Sequence, residues 1–327
     1  MRRREFITLL GGAAVAWPTA ARAQDPPKPL IALPDLRSPV LMGNRLDQFR
    51  QGLKEMGYVE GDNVTIAYRW AENRMDRLPG LISDLVGLKP TLILAGGPPV
   101  ATAAKAATST IPILFLVAGD PVKMGLVASL ARPGGNLTGI NLFNAELTTK
   151  RLGMLREVLP HATRVAVLVN PDDAGNTAAS LRDIEVANRA LGFQLEIFRA
   201  NSGSEIDTAF TTMVRQRQDA LFVASSIYFT GQRVQLVQLA AFHRLPATYS
   251  QREFAEVGGL MSYGGDVGDA YRQLGVYAGR IIKGAKPQDL PVAQATKLEL
   301  VINAKTAKML DIAMPSTLLS IADEVIE

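Results

Sequence analysis

Thr91-Leu92-Ile93-Leu94-Ala95 runs straight into Gly96-Gly97-Pro98-Pro99. A short stretch of apolar and β-favouring residues with no polar alternation reads as a strand covered on both faces. Such strands lie in parallel sheets beneath helices. Three more runs share this character: Ile113–Val117, Val165–Val169 and Ala220–Ala224. Between them the apolar spacing turns helical. Leu46, Phe49, Leu53 and Met56 form one stripe, stopped by Gly57, and Leu78, Leu81, Ile82 and Leu85 form another, ended at Lys89-Pro90. Val64–Trp70, Phe193–Phe198 and Gly259–Tyr263 read as further strands. The strand–helix alternation therefore occurs twice, over roughly 29–141 and roughly 142–260, each series about 110 residues long and of ordinary size for one lobe. The expected fold is α/β: two Rossmann-like lobes with parallel sheets, in tandem.

The residues after each buried strand carry the functional information. Gly96-Gly97-Pro98-Pro99, Ala118-Gly119-Asp120-Pro121, Asn170-Pro171-Asp172-Asp173 and Ser225-Ser226-Ile227-Tyr228 follow the four runs. Ligands of open α/β sheets bind outside the carboxyl ends of the strands, where loops feed helix N-termini. Taken singly, these Gly, Pro, Asn and Asp residues are ordinary turn and cap residues. Four such loops in two lobes together point to a cleft between the lobes. Asp120 has two readings, a side chain at the cleft mouth or a cap of the helix after Pro121. The Asp172-Asp173 pair reads more simply as a helix start than as a cation site.

The composition narrows the function classes. The 327 residues are 47% hydrophobic and 20% charged, with no cysteine and two histidines. Disulfide frameworks, thiol chemistry and cysteine–zinc sites are excluded. His161 and His243 both stand at predicted helix ends, as caps rather than bases. Most of the +4 net charge comes from Arg2, Arg3, Arg4 and Arg22, with Glu5 against them, so the remaining chain is near neutral and has no nucleic-acid footprint. Arg2-Arg3-Arg4-Glu5-Phe6-Ile7 resembles a twin-arginine export signal. The weakly apolar run Ile7–Trp17 and the cleavage pattern Ala21-Arg22-Ala23 follow it. That run is too short to span a bilayer core of roughly 30 Å. The expectation is a signal at 1–23 cleaved after Ala23, an extended leader at 24–29, and a periplasmic mature chain.

Catalytic signatures are missing. No G-x-G-x-x-G follows the first strand, whose loop reads Pro34-Asp35-Leu36-Arg37-Ser38-Pro39. No Walker A sequence, G-x-S-x-G elbow or H-E-x-x-H occurs.

Longer motifs bring a resemblance. Leu94–Pro99 with Ala107–Ile113 forms the first. Gly119-Asp120-Pro121, Gly125-Leu126-Val127 and Leu130–Gly139 form the second, and Gly258–Gly264 the third. Ile282–Pro287 with Asp289–Pro291, and Leu300–Asn303 with Thr306-Ala307, complete the set. Together these resemble the ABC-transporter substrate-binding proteins related to the tryptophan/tyrosine-binding group, over essentially the whole mature chain. The resemblance implies a type I periplasmic binding fold, hinge-linked, with lobe 1 at 30–141 plus 264–292 and lobe 2 at 142–263 plus 293–327. It places three crossings near Gly139–Phe143, Tyr263–Gly265 and Val292–Thr296. Cleft-facing positions implied by it are Gly97 and Asp120 from the first lobe, Asn170, Ser225 and Tyr228 from the second, and Tyr249 and Tyr263 near the hinge. The family often has Thr after the glycine of the third-strand loop. Pro98 stands there instead, which removes a hydroxyl suited to a ligand carboxylate.

On this reading Asp120 pairs with a ligand ammonium, strand-end amides near Gly97 and Ser225 take a carboxylate, and a tyrosine stacks on a planar ligand. The implied function is a monomeric periplasmic protein, not an enzyme. It takes an amino-acid-like or aromatic small molecule to an ABC permease in the inner membrane, with no cofactor, no metal and no nucleic acid. The alternatives are a ligand sensor docking on a membrane receptor and an exported α/β enzyme.

Overall fold

The computed structural model describes residues 28–142 and 144–327. The expected export signal at 1–23, most of the expected leader at 24–29, and Phe143 lie outside the described residues. The first series runs β1 (Leu30–Asp35), α1 (Pro39–Glu55), β2 (Thr65–Trp70), α2 (Leu78–Gly87), β3 (Leu92–Gly96), α3 (Pro98–Ala107), β4 (Ile113–Val117) and β5 (Leu137–Asn141). The second runs α4 (Asn144–Val158), β6 (Arg164–Val169), α5 (Ala174–Leu191), β7 (Gln194–Arg199), α6 (Gly203–Arg215) and β8 (Ala220–Val223). It continues through α7 (Ile227–Gly231), α8 (Arg233–Phe242), β9 (Ala247–Tyr249), α9 (Arg252–Glu256) and β10 (Met261–Gly265). The chain then returns through α10 (Val267–Ile282) and β11 (Ala293–Gln294), and closes with β12 (Leu298–Asn303), α11 (Ala304–Met309), α12 (Ser316–Ile321) and β13 (Glu324–Ile326).

The strands form two sheets, ordered β11-β5-β4-β3-β1-β2 and β13-β12-β10-β9-β8-β6-β7. Every pairing in the first is parallel. β3 and β4 are buried at every residue, as uninterrupted apolar runs require when helices cover both faces. One face of the first sheet packs on α1 and α10 through Phe49, Leu53 and Leu274, and the other on α2 and α3 through Ile82, Leu85 and Val100. The second sheet has the same two-faced core.

The chain passes between the sheets three times: from β5 to α4, from β10 to α10, and from β11 to β12. Residues 293–294, expected in the second lobe, pair with Ile140 and Asn141 of the first sheet, so the third passage comes after Gln294. Residues 264–265, expected in the first lobe, pair with Leu298 and Glu299 of the second. One pairing departs from the parallel expectation. β12 enters the second sheet at the interlobe side, where β10 ends, and Gly265 pairs with Leu298. A strand entering from that end runs antiparallel to its neighbour.

Each sheet reverses its strand order once, between β1 and β3 in the first and between β6 and β8 in the second. Helices leave on opposite faces there, so the carboxyl ends of these strands border a crevice. The two crevices face each other.

α10 seats on α1 at close range. A Cβ on Gly52 would lie 1.9 Å from the Arg272 carbonyl oxygen, and one on Gly275 would lie 2.2 Å from that of Phe49. Gly275→Ala is expected to cost about 1–3 kcal/mol by overpacking, read as a lower urea midpoint. Gly80, on α2, has open space where a Cβ would go. Gly80→Ala is expected to raise stability by about 0.5–1 kcal/mol in the same assay.

Candidate functional site

The site begins at the end of β1. Asp35 and Arg37, both buried, form a closed pair. Arg37 donates from its backbone N and from Nε to Asp35 Oδ1, each at 2.8 Å, and from Nη2 to Oδ2 at 2.7 Å. Nη2 also donates to the Tyr271 hydroxyl of α10 at 2.8 Å. Burial opposes the guanidinium charge, but Asp35 and Tyr271 outweigh it and push the Arg37 pKa up. Gly96 ends β3 against this group. A Cβ there would sit 2.6 Å from the Tyr271 hydroxyl and 2.9 Å from Asp35 Oδ2.

A second arginine reaches across. Arg45 of α1 donates from Nη2 to Gln251 Oε1 at 3.0 Å and to Glu253 Oε1, both on the second lobe. Gln251 Oε1 also accepts from the Thr230 hydroxyl at 3.1 Å. Burial raises the Glu253 pKa. Apolar contact closes another part of the interface. Gly97 has φ +119°, and a Cβ there would lie 2.8 Å from Ile227 Cδ1.

Between these contacts lies a half-open cavity of about 50 Å³. Its apolar wall is Pro98, Leu116, Leu142, Ile227 and Val267; Asp173, Asn176, Ser225, Ser226, Thr230, Gln251 and Tyr271 supply polar groups beside the two arginines. Asn176 Nδ2 donates to the Ser225 carbonyl. Asp173, at the start of α5, is 7% exposed, and burial raises its carboxyl pKa to about 6.

Of the positions expected from sequence, Gly97 and Ser225 line this cavity. Asp120 does not. Its Oδ1 accepts from the Val122 and Lys123 amides at 2.9 and 3.2 Å, and the residue borders a separate groove of about 650 Å³ with Lys123 and Asp183. Asn170 stands one layer back, donating to the Ser226 hydroxyl at 3.3 Å. Tyr228 is buried, its hydroxyl accepting from Gln232 Nε2 at 3.2 Å. Tyr249 is stacked on Phe254 with ring centroids 4.5 Å apart, inside the second lobe's core. Tyr263, on the hinge strand β10, accepts from Lys150 Nζ at 2.9 Å. The cause is common to Tyr249 and Tyr263: side chains within a strand point into the helix layers, and residues beyond the strand end reach the crevice. Carboxylate capture by amides near Gly97 also meets an obstacle. The Gly97 N–H donates to the Ala95 carbonyl, and Pro98 and Pro99 have no N–H to offer.

Sequence reasoning passed over Arg37, Arg45, Asn176, Gln251 and Tyr271, and read Asp173 as a helix start rather than a site residue. Only the first left a local signal, an Asp-x-Arg at the end of a buried strand.

Comparison with known proteins places the architecture. The model of a family described as ABC transporter substrate binding protein matches residues 41–326. A tyrosine-binding protein of Clostridioides difficile (strain R20291) is 29% identical over 269 residues, covering 80% of this chain and 75% of that one. The solved structure of an ABC domain in complex with L-Trp from Streptococcus pneumonia is 25% identical, with TM-score 0.84 over 91% of this chain and 100% of that one. For the ligand-free, open structure of a substrate-binding protein with adhesive properties from Clostridium difficile, the TM-score is 0.65 at 24% identity, over 91% of this chain and 99% of that one.

The buried pair makes a stability test. Asp35→Asn leaves a buried guanidinium without its counter-charge and is expected to cost about 3–5 kcal/mol. Tyr271→Phe removes one hydrogen bond to a charged group and is expected to cost about 1.5–3 kcal/mol, both read from denaturant midpoints.

Proposed function

We propose, from the premise that this chain belongs to the ABC transporter substrate-binding protein family, that it captures a small amino-acid-like or aromatic solute between its two lobes and hands it to an ABC permease of the inner membrane. The observation that carries this reading is a cavity walled from both sides, with Gly97, Leu116 and Tyr271 from one lobe and Asp173, Ser225 and Ile227 from the other. A solute held there touches both lobes at once, and its extra contacts in the closed state favour closure. The relatives named for tyrosine and solved with L-Trp support the aromatic amino-acid class. Tyr271 in the cavity wall adds an aromatic surface, worth about 0.5–1.5 kcal/mol against a planar ligand. The family and these relatives are binding proteins rather than enzymes.

The setting we assign is the periplasm, reached through a twin-arginine signal in residues 1–23, with the mature protein a monomer. No helix among the described residues is long and apolar enough to cross a membrane.

A thermal-shift screen over amino acids, aromatic acids and sugars tests the solute reading, since a ligand at 100 times its Kd stabilises by about 2.7 kcal/mol. The expected outcome is stabilisation by a member of the first two groups, with none by sugars. Small-angle scattering is expected to give a larger radius of gyration for Arg45→Ala than for the wild type, because the ion pair across the lobes is lost. Replacing Arg3 and Arg4 together by Lys is expected to strand the precursor in the cytoplasm, read by fractionation. Normal processing of that variant would make the signal an ordinary one.

A further inference from the structure

One formal charge on the cavity wall has no balancing partner. Arg37 is matched by Asp35 and Arg45 by Glu253. Asp173 has no ion pair among the described residues, and its Oδ2 is buried without a hydrogen-bond partner among them. It stands at the N-terminal end of α5, where Asn176 lies close enough to favour its charge but no side-chain cap hydrogen bond of ordinary geometry forms.

We infer that the solute is an organic ammonium ion whose amine is held by Asp173 Oδ2, and that the cavity favours a ligand of net positive charge. This rests on the reading of the cavity as the solute site. A buried carboxylate with an open oxygen is unfavourable alone, and a cation offering N–H donors satisfies both its charge and its lone pair. An anion finds no free amide at the α3 end. The α3 N-terminus, which ordinarily receives anions, begins with Pro98 and Pro99, and the Gly97 N–H is already used. Arg45 Nε and Nη1 and Arg37 Nη1 make no hydrogen bond among the described residues, but they belong to guanidiniums that Glu253 and Asp35 already balance. Leu116, Leu142, Ile227 and Val267 suit an apolar body behind the amine.

The charged and titratable groups on the cavity wall besides Asp173 are Arg37, Arg45 and the Tyr271 hydroxyl. No charged group contributes to the Asp173 shift; burial raises its pKa, and Asn176 opposes this only in part. With a folded pKa of about 6, above the ordinary 3.8, the carboxyl is ionised at neutral pH. The stability it forgoes by ionising is restored as the pH falls through about 6 and is complete below the ordinary carboxylate range.

Two measurements on the purified mature protein test this. Tyramine, L-tyrosine and hydroxyphenylpropanoate share one ring and carry the ammonium alone, both charges, or the carboxylate alone. Calorimetric titration is expected to show tyramine binding at least as tightly as L-tyrosine and hydroxyphenylpropanoate not binding, and Asp173→Asn is expected to weaken tyramine by tenfold or more. Tighter binding of hydroxyphenylpropanoate than of tyramine, or unchanged tyramine affinity in Asp173→Asn, overturns the inference. The second measurement needs no ligand. Asp173→Asn is expected to melt roughly 2–4 °C or more above the wild type near pH 8, with the gap gone near pH 3. An equal melting temperature at both pH values means the carboxylate is satisfied within the protein, and the inference falls. If none of the three compounds binds the wild type, the aromatic-solute reading fails, and the melting comparison alone decides the state of Asp173.

Discussion

The pairing of Asp35 with Arg37, closed over by the Tyr271 hydroxyl, joins the first strand of the chain to a helix the chain builds only after completing most of the second lobe. In a site this dry, a carboxylate and a guanidinium must satisfy each other, because water is not there to do it. The constraint propagates. α10 must lie where its Tyr271 meets Arg37, and it reaches that position by seating Gly275 on α1 at backbone contact. Gly96 must be bare to leave room for both side chains. The first lobe is therefore not a unit that the first series of strands completes by itself.

The same geometry sets the interface between the lobes. All three passages lie at the carboxyl ends of strands in the first sheet or at the corresponding edge of the second, so both crevices open toward the connections. The glycines at the second passage serve close approach. A Cβ on Gly264 would lie 1.9 Å from the Ser250 carbonyl oxygen, and one on Gly265 would touch Leu142 at 3.2 Å. Across this interface Arg45 grips Gln251 and Glu253, and Ile227 fills the space that Gly97 leaves. Polar and apolar contacts alternate around the cavity. A bound solute and the lobe-to-lobe contacts thus act in the same direction.

Most of the secondary structure was legible from the order of residues. The apolar run at 91–95 is β3 with a one-residue offset, and Leu46, Phe49 and Leu53 are buried on α1 as their spacing requires. The antiparallel return of β12 was not legible, because its direction depends on where a distant passage enters the sheet. Gly97 and Ser225 were found from their place after buried strands. Asp120 and Asp173 share that place, each between an apolar strand and a helix or turn. Only the fold separates them, since the Asp120 carboxylate turns back to the amides of Val122 and Lys123 while Asp173 faces the cavity. Tyr249 and Tyr271 are the converse case. Both are buried aromatics, one locked inside the second core and one at the cavity wall.

The sequence by itself determined two tandem α/β lobes, strands covered on both faces, and a crevice beyond the strand ends, because hydrophobic periodicity and turn chemistry depend on neighbours along the chain. The tertiary structure alone decided which charges are buried, which are paired, and which one is left without a partner at the cavity wall. Those outcomes depend on groups more than two hundred residues apart, such as Arg37 and Tyr271, or Arg45 and Glu253, being brought within hydrogen-bond distance where little water remains.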